Sequence, residues 1–218
     1  MAIPINQGRR SFLRDASVFL ALPMLGLGAL QVSSCARNNP SFARGGLADA
    51  KSNEAAPWKL SITSDKELGE PLIMSGVIYS PDGRTPLEGI NLWVYHTDAT
   101  GNYSTSGGDN RNTRLHGLMR TNAEGRYEFH TIKPVSYPGR TIPAHIHAYV
   151  SGPGYPEYWI DEYLFEGDPF ITDEIRKKQS SGQGRFASIV KLERGADGIL
   201  RGVRDIKIEH CSNNCTGR

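Results

Sequence analysis

Short runs of apolar, β-branched and aromatic residues recur from Trp58 onward and predict a strand-rich domain. Turn signals separate the runs, such as Pro81-Asp82-Gly83 and Ala123-Glu124-Gly125. Only residues 173–179 have a pattern that favours a helix. Short strands at this spacing are typical of an all-β fold, and we predict an antiparallel β-sandwich. The predicted strands cover residues 72–79, 90–95, 126–132, 145–150, 186–192 and 203–208.

The first 57 residues have a different pattern from the domain that follows. Residues 36–57 are rich in Asn, Ser, Ala and Gly, which predicts a flexible linker. The β-sandwich domain is then expected over residues 58–210, and residues 211–218 form a short tail. The chain is long enough for this one domain and an N-terminal leader.

Residues 1–35 are predicted to be an export leader. Arg9 and Arg10 precede Ser11-Phe12-Leu13-Arg14, and this segment resembles a twin-arginine signal. The apolar run over residues 18–30 is interrupted by proline and glycine. It is also shorter than the roughly 20 apolar residues of a membrane-spanning helix. An uncleaved membrane anchor is the alternative interpretation.

The segment Val32-Ser33-Ser34-Cys35 resembles a lipobox, in which the cysteine receives a lipid. A lipidated Cys35 predicts a protein of the cell envelope or periplasm that contacts a membrane only through its anchor. Plain secretion, with Cys35 removed or left free, is the alternative. In an oxidising compartment Cys211 and Cys215 can form a small disulfide loop. Half of a zinc site is the other possibility for them, but no second cysteine pair completes it.

The charge of the chain argues against a nucleic-acid partner. The formal net charge is +2 at pH 7. Without the three arginines and one aspartate of residues 1–35, the remainder carries 22 basic and 22 acidic side chains. Nucleic-acid binding needs a basic surface, and this balance does not provide one.

A pair of histidines is the sharpest candidate for chemistry. His145 and His147 lie in the segment Pro143-Ala144-His145-Ile146-His147-Ala148-Tyr149-Val150. Side chains alternate along a strand, so both imidazoles point to the same face and can bind a transition metal together. Such a pair on its own also suits ordinary hydrogen bonding. The remaining histidines do not share this spacing, namely His96, His116, His130 and His210.

Four further blocks occur in a fixed order around this strand. Residues 94–104 pass from a strand into a loop with Gly101 and Tyr103, and residues 121–129 form a turn followed by a strand. Residues 131–140 lead into the histidine strand, and Leu164-Phe165-Glu166-Gly167-Asp168-Pro169 follows it. Together these blocks resemble the catalytic domain of intradiol ring-cleavage dioxygenases, the family of protocatechuate 3,4-dioxygenase and catechol 1,2-dioxygenase. The resemblance covers residues 72–170.

This resemblance implies a non-haem Fe(III) site with Tyr103, Tyr137, His145 and His147 as ligands. Tyrosinate is a hard, anionic donor that stabilises ferric iron, and imidazole completes the coordination. Aromatic packing or a turn hydroxyl is the alternative role for each tyrosine taken alone. The implied partners are a catechol-type substrate and O2, with no organic cofactor. The implied reaction opens the ring between the two hydroxylated carbons to give a muconate-type diacid, and Tyr137 serves as a base.

Two positions depart from the family pattern. Ile142 stands where the family has arginine, and Glu162 stands where it has glutamine. We predict that Arg140 takes over the stabilisation of negative charge on the substrate, with Arg114 as the alternative. His116, where relatives often have arginine, receives no role. An envelope-anchored β-sandwich that binds iron or a phenolic ligand without turnover is the alternative function. A hydrolase is disfavoured because no serine lies in a nucleophile elbow.

Overall fold

The computed structural model of the chain describes residues 55–104, 113–180 and 186–209. These residues belong to one compact unit, Cys35–Arg218. The predicted leader, the possible lipidation site at Cys35 and the Cys211/Cys215 pair lie outside the described residues, so these stay predictions. Most of the linker, residues 36–54, also lies outside them.

The described residues form eleven strands and one helix. In chain order these are β1 Lys59–Ser61, β2 Pro71–Tyr79, β3 Asn91–His96, β4 His116–Arg120, β5 Arg126–Ile132, β6 His145–Gly152, β7 Tyr155–Phe165, α1 Asp173–Ser180, β8 Ile189–Val190, β9 Glu193–Arg194, β10 Leu200–Val203 and β11 Ile206–Lys207. The fold is therefore mostly β with little helix, as the sequence predicts. No helix among these residues is long and apolar enough to cross a membrane.

The strands are organised in two sheets. The first has the order β1-β5-β2-β10-β9, with β11 also paired to β2, and the second has the order β4-β3-β6-β7-β8. The prediction of antiparallel pairing holds for five pairs: β2 with β5, β3 with β4, β3 with β6, β6 with β7, and β9 with β10. Four other pairings are parallel: β1 with β5, β10 with β2, β11 with β2, and β7 with β8. Each of these joins a short strand to a strand distant in sequence, and local patterns carry no information on such pairings.

One hydrophobic core cluster draws on both sheets. The first sheet contributes Leu72, Met74 and Phe129, and the second contributes Val94 and Ile146, all almost fully buried. Alternation along β6 places Ile146, Ala148 and Val150 in this core. Because alternate side chains of a strand point to opposite faces, His145, His147 and Tyr149 lie on the other face of the sheet.

A buried histidine also links the two sheets. His96, at the end of β3, donates from Nδ1 to the Thr97 carbonyl oxygen at 2.7 Å. Its Nε2 accepts from the Thr131 hydroxyl on β5 at 2.7 Å. Burial lowers the pKa of His96 to about 4, so the imidazole is neutral at pH 7.

Several predicted element bounds need correction. The predicted strand at 186–192 is reduced to β8, and the one at 203–208 is divided into parts of β10 and β11 by Arg204 and Asp205. Four strands were not predicted at all: β1, β4, β7 and β9. The missed β7 is the longest strand, with 11 residues. Its acidic residues and Pro156 interrupt the apolar alternation on which the prediction depended.

Candidate metal centre

The structure brings the four predicted ligands together at one end of the second sheet. His145 and His147 begin β6, and Tyr95 of β3 lies opposite His147 in the antiparallel register. Tyr103 and Tyr137 come from two loops, which follow β3 and β5 respectively. Both histidines are 9% exposed, and both tyrosines are partly buried.

The donor atoms of the four side chains converge on one point. The hydroxyl oxygens of Tyr103 and Tyr137 are 2.7 Å apart. The Tyr137 hydroxyl lies 2.9 Å from His145 Nε2 and 3.4 Å from His147 Nε2. The two Nε2 atoms are 3.1 Å apart.

These separations fit a single metal ion. With metal–ligand bonds of about 2.1 Å, neighbouring donor atoms lie roughly 3.0 to 3.4 Å apart, depending on the bond angle. The separations of 3.1 and 3.4 Å lie in this range, and those of 2.7 and 2.9 Å, where the atoms are hydrogen-bonded to each other, lie just below it. Two phenol oxygens and two imidazole nitrogens form a donor set suited to iron. No group of three or more His, Cys, Asp and Glu side chains is placed for a metal in the described part of the chain. A metal at this point therefore depends on the tyrosines.

Protonation of the site agrees with a role for a strong Lewis acid. Burial, together with neighbouring His145, lowers the pKa of His147 to about 3, which keeps its imidazole neutral and its lone pair free. Burial, then the hydrogen bond to Tyr137, raises the pKa of Tyr103. Burial also raises the pKa of Tyr137, with Glu162 adding to the effect. Both phenols therefore need a bound cation to ionise near neutral pH.

Each imidazole has a different partner on the side away from the donors. His145 Nδ1 donates to the Pro143 carbonyl oxygen at 2.7 Å, which leaves Nε2 as the acceptor that faces the other ligands. His147 Nδ1 is buried and has no hydrogen-bond partner among the described residues. The carboxylate of Glu162 comes within 3.8 Å of it.

Close contact between the two loops brings the tyrosines together. Gly101 has a φ of 79°, and a Cβ at this position would lie 2.4 Å from the Ser136 carbonyl oxygen. Only glycine therefore permits this approach. Asp98 accepts hydrogen bonds from the backbone N–H groups of Thr100 and Asn102, which fixes the turn before Tyr103. These residues were quoted in the sequence blocks, but their positioning role was not predicted.

Asp168 positions the start of the histidine strand. Its carboxylate accepts hydrogen bonds from the backbone N–H of Ala144 and from that of Phe170, both at 2.9 Å. Ala144 directly precedes His145, so this contact ties the block at residues 164–169 to the metal centre. In the sequence this block is only part of a resemblance, and the structure supplies a physical reason for its aspartate.

Aromatic side chains surround His147. Tyr95 stacks on its ring with centroids 4.6 Å apart, and Trp159 meets it edge-on at 4.9 Å. Tyr149 extends this wall by packing against Trp159 at 5.3 Å. None of these three residues is predicted from the sequence to have a function. Tyr149 could have been placed near the site from the sequence, because it shares the alternating face of His145 and His147. Trp159 could not, because its position depends on the register of β6 with β7.

Glu162 lies beside the centre, at a β-bulge of β7. Ile146 pairs with Tyr163, but Ala148 pairs with Ile160, so Asp161 and Glu162 together face the single residue His147. Bulges of this kind change the direction of side chains and are frequent near active sites. The Glu162 side chain is 37% exposed.

The predicted arginines do not contact the four donors. Arg140 is exposed, and its backbone N–H donates to the Tyr137 carbonyl oxygen in a turn. Its guanidinium has no hydrogen-bond partner among the described residues, so its catalytic role stays a prediction. Arg114 forms a bidentate pair with Glu67, with one distance of 2.9 Å. Ile142 is 42% exposed, and His116 stacks on Trp93 with centroids 4.7 Å apart.

Comparisons with known proteins agree with this geometry. A family model described as Dioxygenase matches residues 39–201. Catechol 1,2-dioxygenase 2 of Acinetobacter lwoffii is 33% identical over 49% of this chain and 44% of its own length. The chain thus spans less than half of that relative.

Solved structures show the same similarity. The dioxygenase domain of a dioxygenase and carbohydrate-binding protein fusion from Streptomyces sp. SirexAA-E is 26% identical, with a TM-score of 0.53 over 68% of this chain and 86% of that one. Catechol 1,2-dioxygenase from Pseudomonas arvilla C-1 has a TM-score of 0.56 at 20% identity, over 75% of this chain and 61% of that one, which shows the shared fold. The chain belongs to the intradiol ring-cleavage dioxygenase family.

Proposed function

We propose that this protein is an Fe(III)-dependent intradiol dioxygenase that uses O2 to cleave a catechol-type ring and releases a muconate-type diacid. The β-sandwich is the scaffold that presents its metal centre. The observation that carries the proposal is the convergence of two phenol oxygens and two imidazole nitrogens. The Tyr103 oxygen and both Nε2 atoms lie within 3.4 Å of the Tyr137 oxygen, and the two Nε2 atoms are 3.1 Å apart. Family membership and the reactions of the related dioxygenases support the same activity.

Iron bound at these four side chains would act as a Lewis acid and electron sink for a catechol. His145 and His147 would hold it through Nε2, and Tyr103 and Tyr137 through their oxygens. His145 is oriented for this role because the Pro143 carbonyl accepts its Nδ1 proton at 2.7 Å. The ligands of the site are thus held by short contacts to their own strand and loops.

Tyr137 is the residue best placed to take a proton from the substrate. Its oxygen contacts Tyr103 at 2.7 Å and His145 at 2.9 Å, so it lies between the other donors. Burial, together with the charge of Glu162, raises the pKa of Tyr137, so its oxygen would hold a proton taken from the substrate. A general base must lie within hydrogen-bond reach of the proton that it removes, and a ring bound among these donors meets this condition.

The aromatic wall would orient the substrate and limit the access of water. Tyr95 and Tyr149 are 4% and 7% exposed, and together with Trp159 they cover one side of the centre. A planar catechol ring packs favourably against such side chains. Exclusion of water strengthens the electrostatic interactions of the site.

Binding of iron or a phenolic ligand without turnover is a second candidate. It is favoured by Ile142, which offers no positive charge where the family has arginine, and by the lack of a hydrogen bond between the Arg140 guanidinium and the four donors. Loss of a preorganised donor of charge stabilisation costs about 2.7 to 4 kcal/mol of transition-state energy. The two candidates therefore share the metal site and differ in turnover.

The test is a visible absorption spectrum of the purified iron-loaded chain, before and after catechol is added without oxygen. We expect a tyrosinate-to-Fe(III) charge-transfer band that shifts with catechol, and then a diacid product when O2 is admitted. The variant Y137F should lose much of the band, whereas Y155F, a tyrosine of β7 away from the four donors, should keep it. A colourless protein after iron loading would contradict the metal site. A coloured protein that never consumes O2 would favour the binding candidate.

We further propose that the protein is exported and held at a membrane by a lipid on Cys35. The twin-arginine-like segment at Arg9 and Arg10 and the lipobox-like segment before Cys35 support this location. Fractionation should find the natural chain with membranes and the C35A variant in the soluble envelope fraction. The same soluble distribution for both chains would contradict the lipid anchor.

A further inference from the structure

Glu162 stands out because the fold directs a carboxylate toward the metal centre. At the β-bulge in β7, Asp161 and Glu162 together lie opposite His147 in the strand pairing, and Glu162 Oε1 lies 3.8 Å from His147 Nδ1. Tyr163 pairs with Ile146, and both lie in the core. Alternation along the strand therefore places the neighbouring Glu162 carboxylate on the face that carries the four donors.

Among the described residues, the Glu162 carboxylate forms no ion pair with a lysine or arginine. His147 is its sole ion-pair partner within 4.0 Å in this part of the chain, and a histidine that coordinates a metal is a neutral imidazole. Arg114 is occupied by Glu67. Ile142, 42% exposed, provides apolar surface. A bound ring would therefore meet a site with an uncompensated negative charge.

The surroundings of Glu162 also suit a cation. The rings of Tyr95, Tyr149 and Trp159 form a continuous wall around His147, with centroid distances of 4.6 Å for Tyr95 to His147 and 5.3 Å for Tyr149 to Trp159. Trp159 is the partly exposed member of this wall, and the face of an indole ring attracts an ammonium group through its quadrupole. An aromatic wall beside a carboxylate is a favourable setting for a positively charged substituent and an unfavourable one for a carboxylate.

We propose that Glu162 makes this centre select catechols with a positively charged substituent, such as an aminoalkyl chain, over catechols with a carboxylate. The inference rests on the proposed function and specifies its substrate class. Two unit charges about 8 Å apart at a site of intermediate polarity change affinity about tenfold or more, after allowance for salt. Substituents of opposite sign are affected in opposite directions, so their ratio is the sensitive quantity.

The experiment compares three catechols of matched shape, substituted at ring position 4 with 2-aminoethyl, ethyl or 2-carboxyethyl groups. Dissociation constants of the iron-loaded protein are measured anaerobically from the spectral shift, and kcat/KM is measured by O2 uptake. E162Q removes the charge and keeps the shape of the side chain. E166Q is the matched control, since Glu166 is a nearby exposed glutamate whose partner is Arg176.

We expect the natural protein and E166Q to prefer the amine over the carboxylate by about tenfold or more, with the ethyl compound between them. E162Q should reduce this ratio to about twofold. Equal binding of all three, a preference for the carboxylate, or an unchanged ratio in E162Q would each overturn the inference. A protein that binds iron and cleaves catechols without ranking them by charge loses only this inference. A protein that binds no iron loses the proposed function and this inference with it.

Discussion

Two hydrogen-bonded tyrosine pairs in this protein have similar distances and different surroundings. In the core, the Tyr163 hydroxyl of β7 donates to the Tyr127 hydroxyl of β5 at 2.9 Å, and Tyr127 donates to the Arg204 carbonyl oxygen at 2.6 Å. The Arg204 guanidinium lies over the Tyr163 ring at 4.2 Å. At the metal centre, the Tyr103 and Tyr137 hydroxyls are 2.7 Å apart and face two imidazole nitrogens.

The difference lies in where each chain of hydrogen bonds ends. The core pair ends on a backbone carbonyl, so its polar groups are satisfied without any ligand, and it joins the two sheets. The pair at the centre ends among side-chain donor atoms that crowd one point. Two buried phenols that share a hydrogen bond are therefore not enough to indicate a metal site. The convergence of further lone pairs is what distinguishes one.

The largest expected effect comes from removal of one converging imidazole. Loss of a residue that only supports a metal ligand lowers metal affinity roughly 10- to 100-fold. H145A removes a ligand itself, so we expect it to lower iron affinity by more than this. H130A is the control, since His130 pairs with Glu128 away from the centre. Metal analysis after dialysis and the visible spectrum are the measurements. Equal iron retention by the two variants would show that His145 does not bind iron. The convergence of imidazoles on Tyr103 and Tyr137 would then no longer distinguish this pair from the core pair.

A second test uses the structural histidine of the core. His96 has a pKa of about 4 in the folded protein, lowered by burial from an ordinary value of 6.5. Between pH 6.5 and pH 4, His96 therefore binds a proton in the unfolded chain but not in the folded chain. The stability that His96 provides above pH 6.5 is lost as the pH falls toward 4. The loss attributable to His96 is about 3 kcal/mol.

Denaturant unfolding at pH 7 and pH 4.5 measures this effect. H96N retains polar atoms near Nδ1 and lacks the titrating group, so its stability should fall less over the same interval. H116N serves as the control, because His116 lies on the opposite face, stacked on Trp93. An equal pH dependence of the natural protein and H96N would show that His96 contributes no such linkage.

The third prediction concerns the core pair itself. Y127F leaves the Tyr163 hydroxyl without its acceptor and the Arg204 carbonyl without its donor, both in a buried region. We expect a loss of about 1 to 3 kcal/mol in unfolding free energy and an unchanged iron content. Y137F should give the reverse, with little change in stability and a loss of colour. If Y127F and Y137F each lost both stability and iron, the two tyrosine pairs would not have the separate roles described here.

The smallest effect is expected at the surface. Arg114 and Glu67 form an ion pair in which the arginine side chain is 50% exposed. R114A should cost less than about 1 kcal/mol of stability, and it should leave kcat/KM with catechol within about twofold. A large loss of kcat/KM without loss of stability would show that Arg114 leaves Glu67 and serves the substrate.

The sequence was sufficient for the parts of the fold that depend on local alternation. Strands β3, β5 and β6 lie where the pattern predicts them, within about two residues at each end. The four residues that the resemblance implied as ligands lie close together, and their role as metal ligands stays a prediction. The HxH spacing determined the shared face of His145 and His147 through the geometry of a single strand.

Other features depend on contacts between distant segments and were not accessible. β4 contains His116, Gly117 and Arg120 and lacks β-branched residues, so its place at the sheet edge depends on pairing with β3. The parallel partner of β10 is β2, more than a hundred residues away in sequence. The bulge at Asp161 and Glu162 is a property of the register between β6 and β7, which no local pattern specifies.

The register of β6 links strand pairing to the chemistry of the centre. His147 lies opposite Tyr95, and Ile146 and Ala148 fill the core beside it. A slip of one residue would reverse this arrangement and bury both imidazoles while exposing the apolar side chains. Iron captured by the four donors would thus stabilise only the correctly paired chain. The colour of the loaded protein would then serve as a direct optical assay of correct folding.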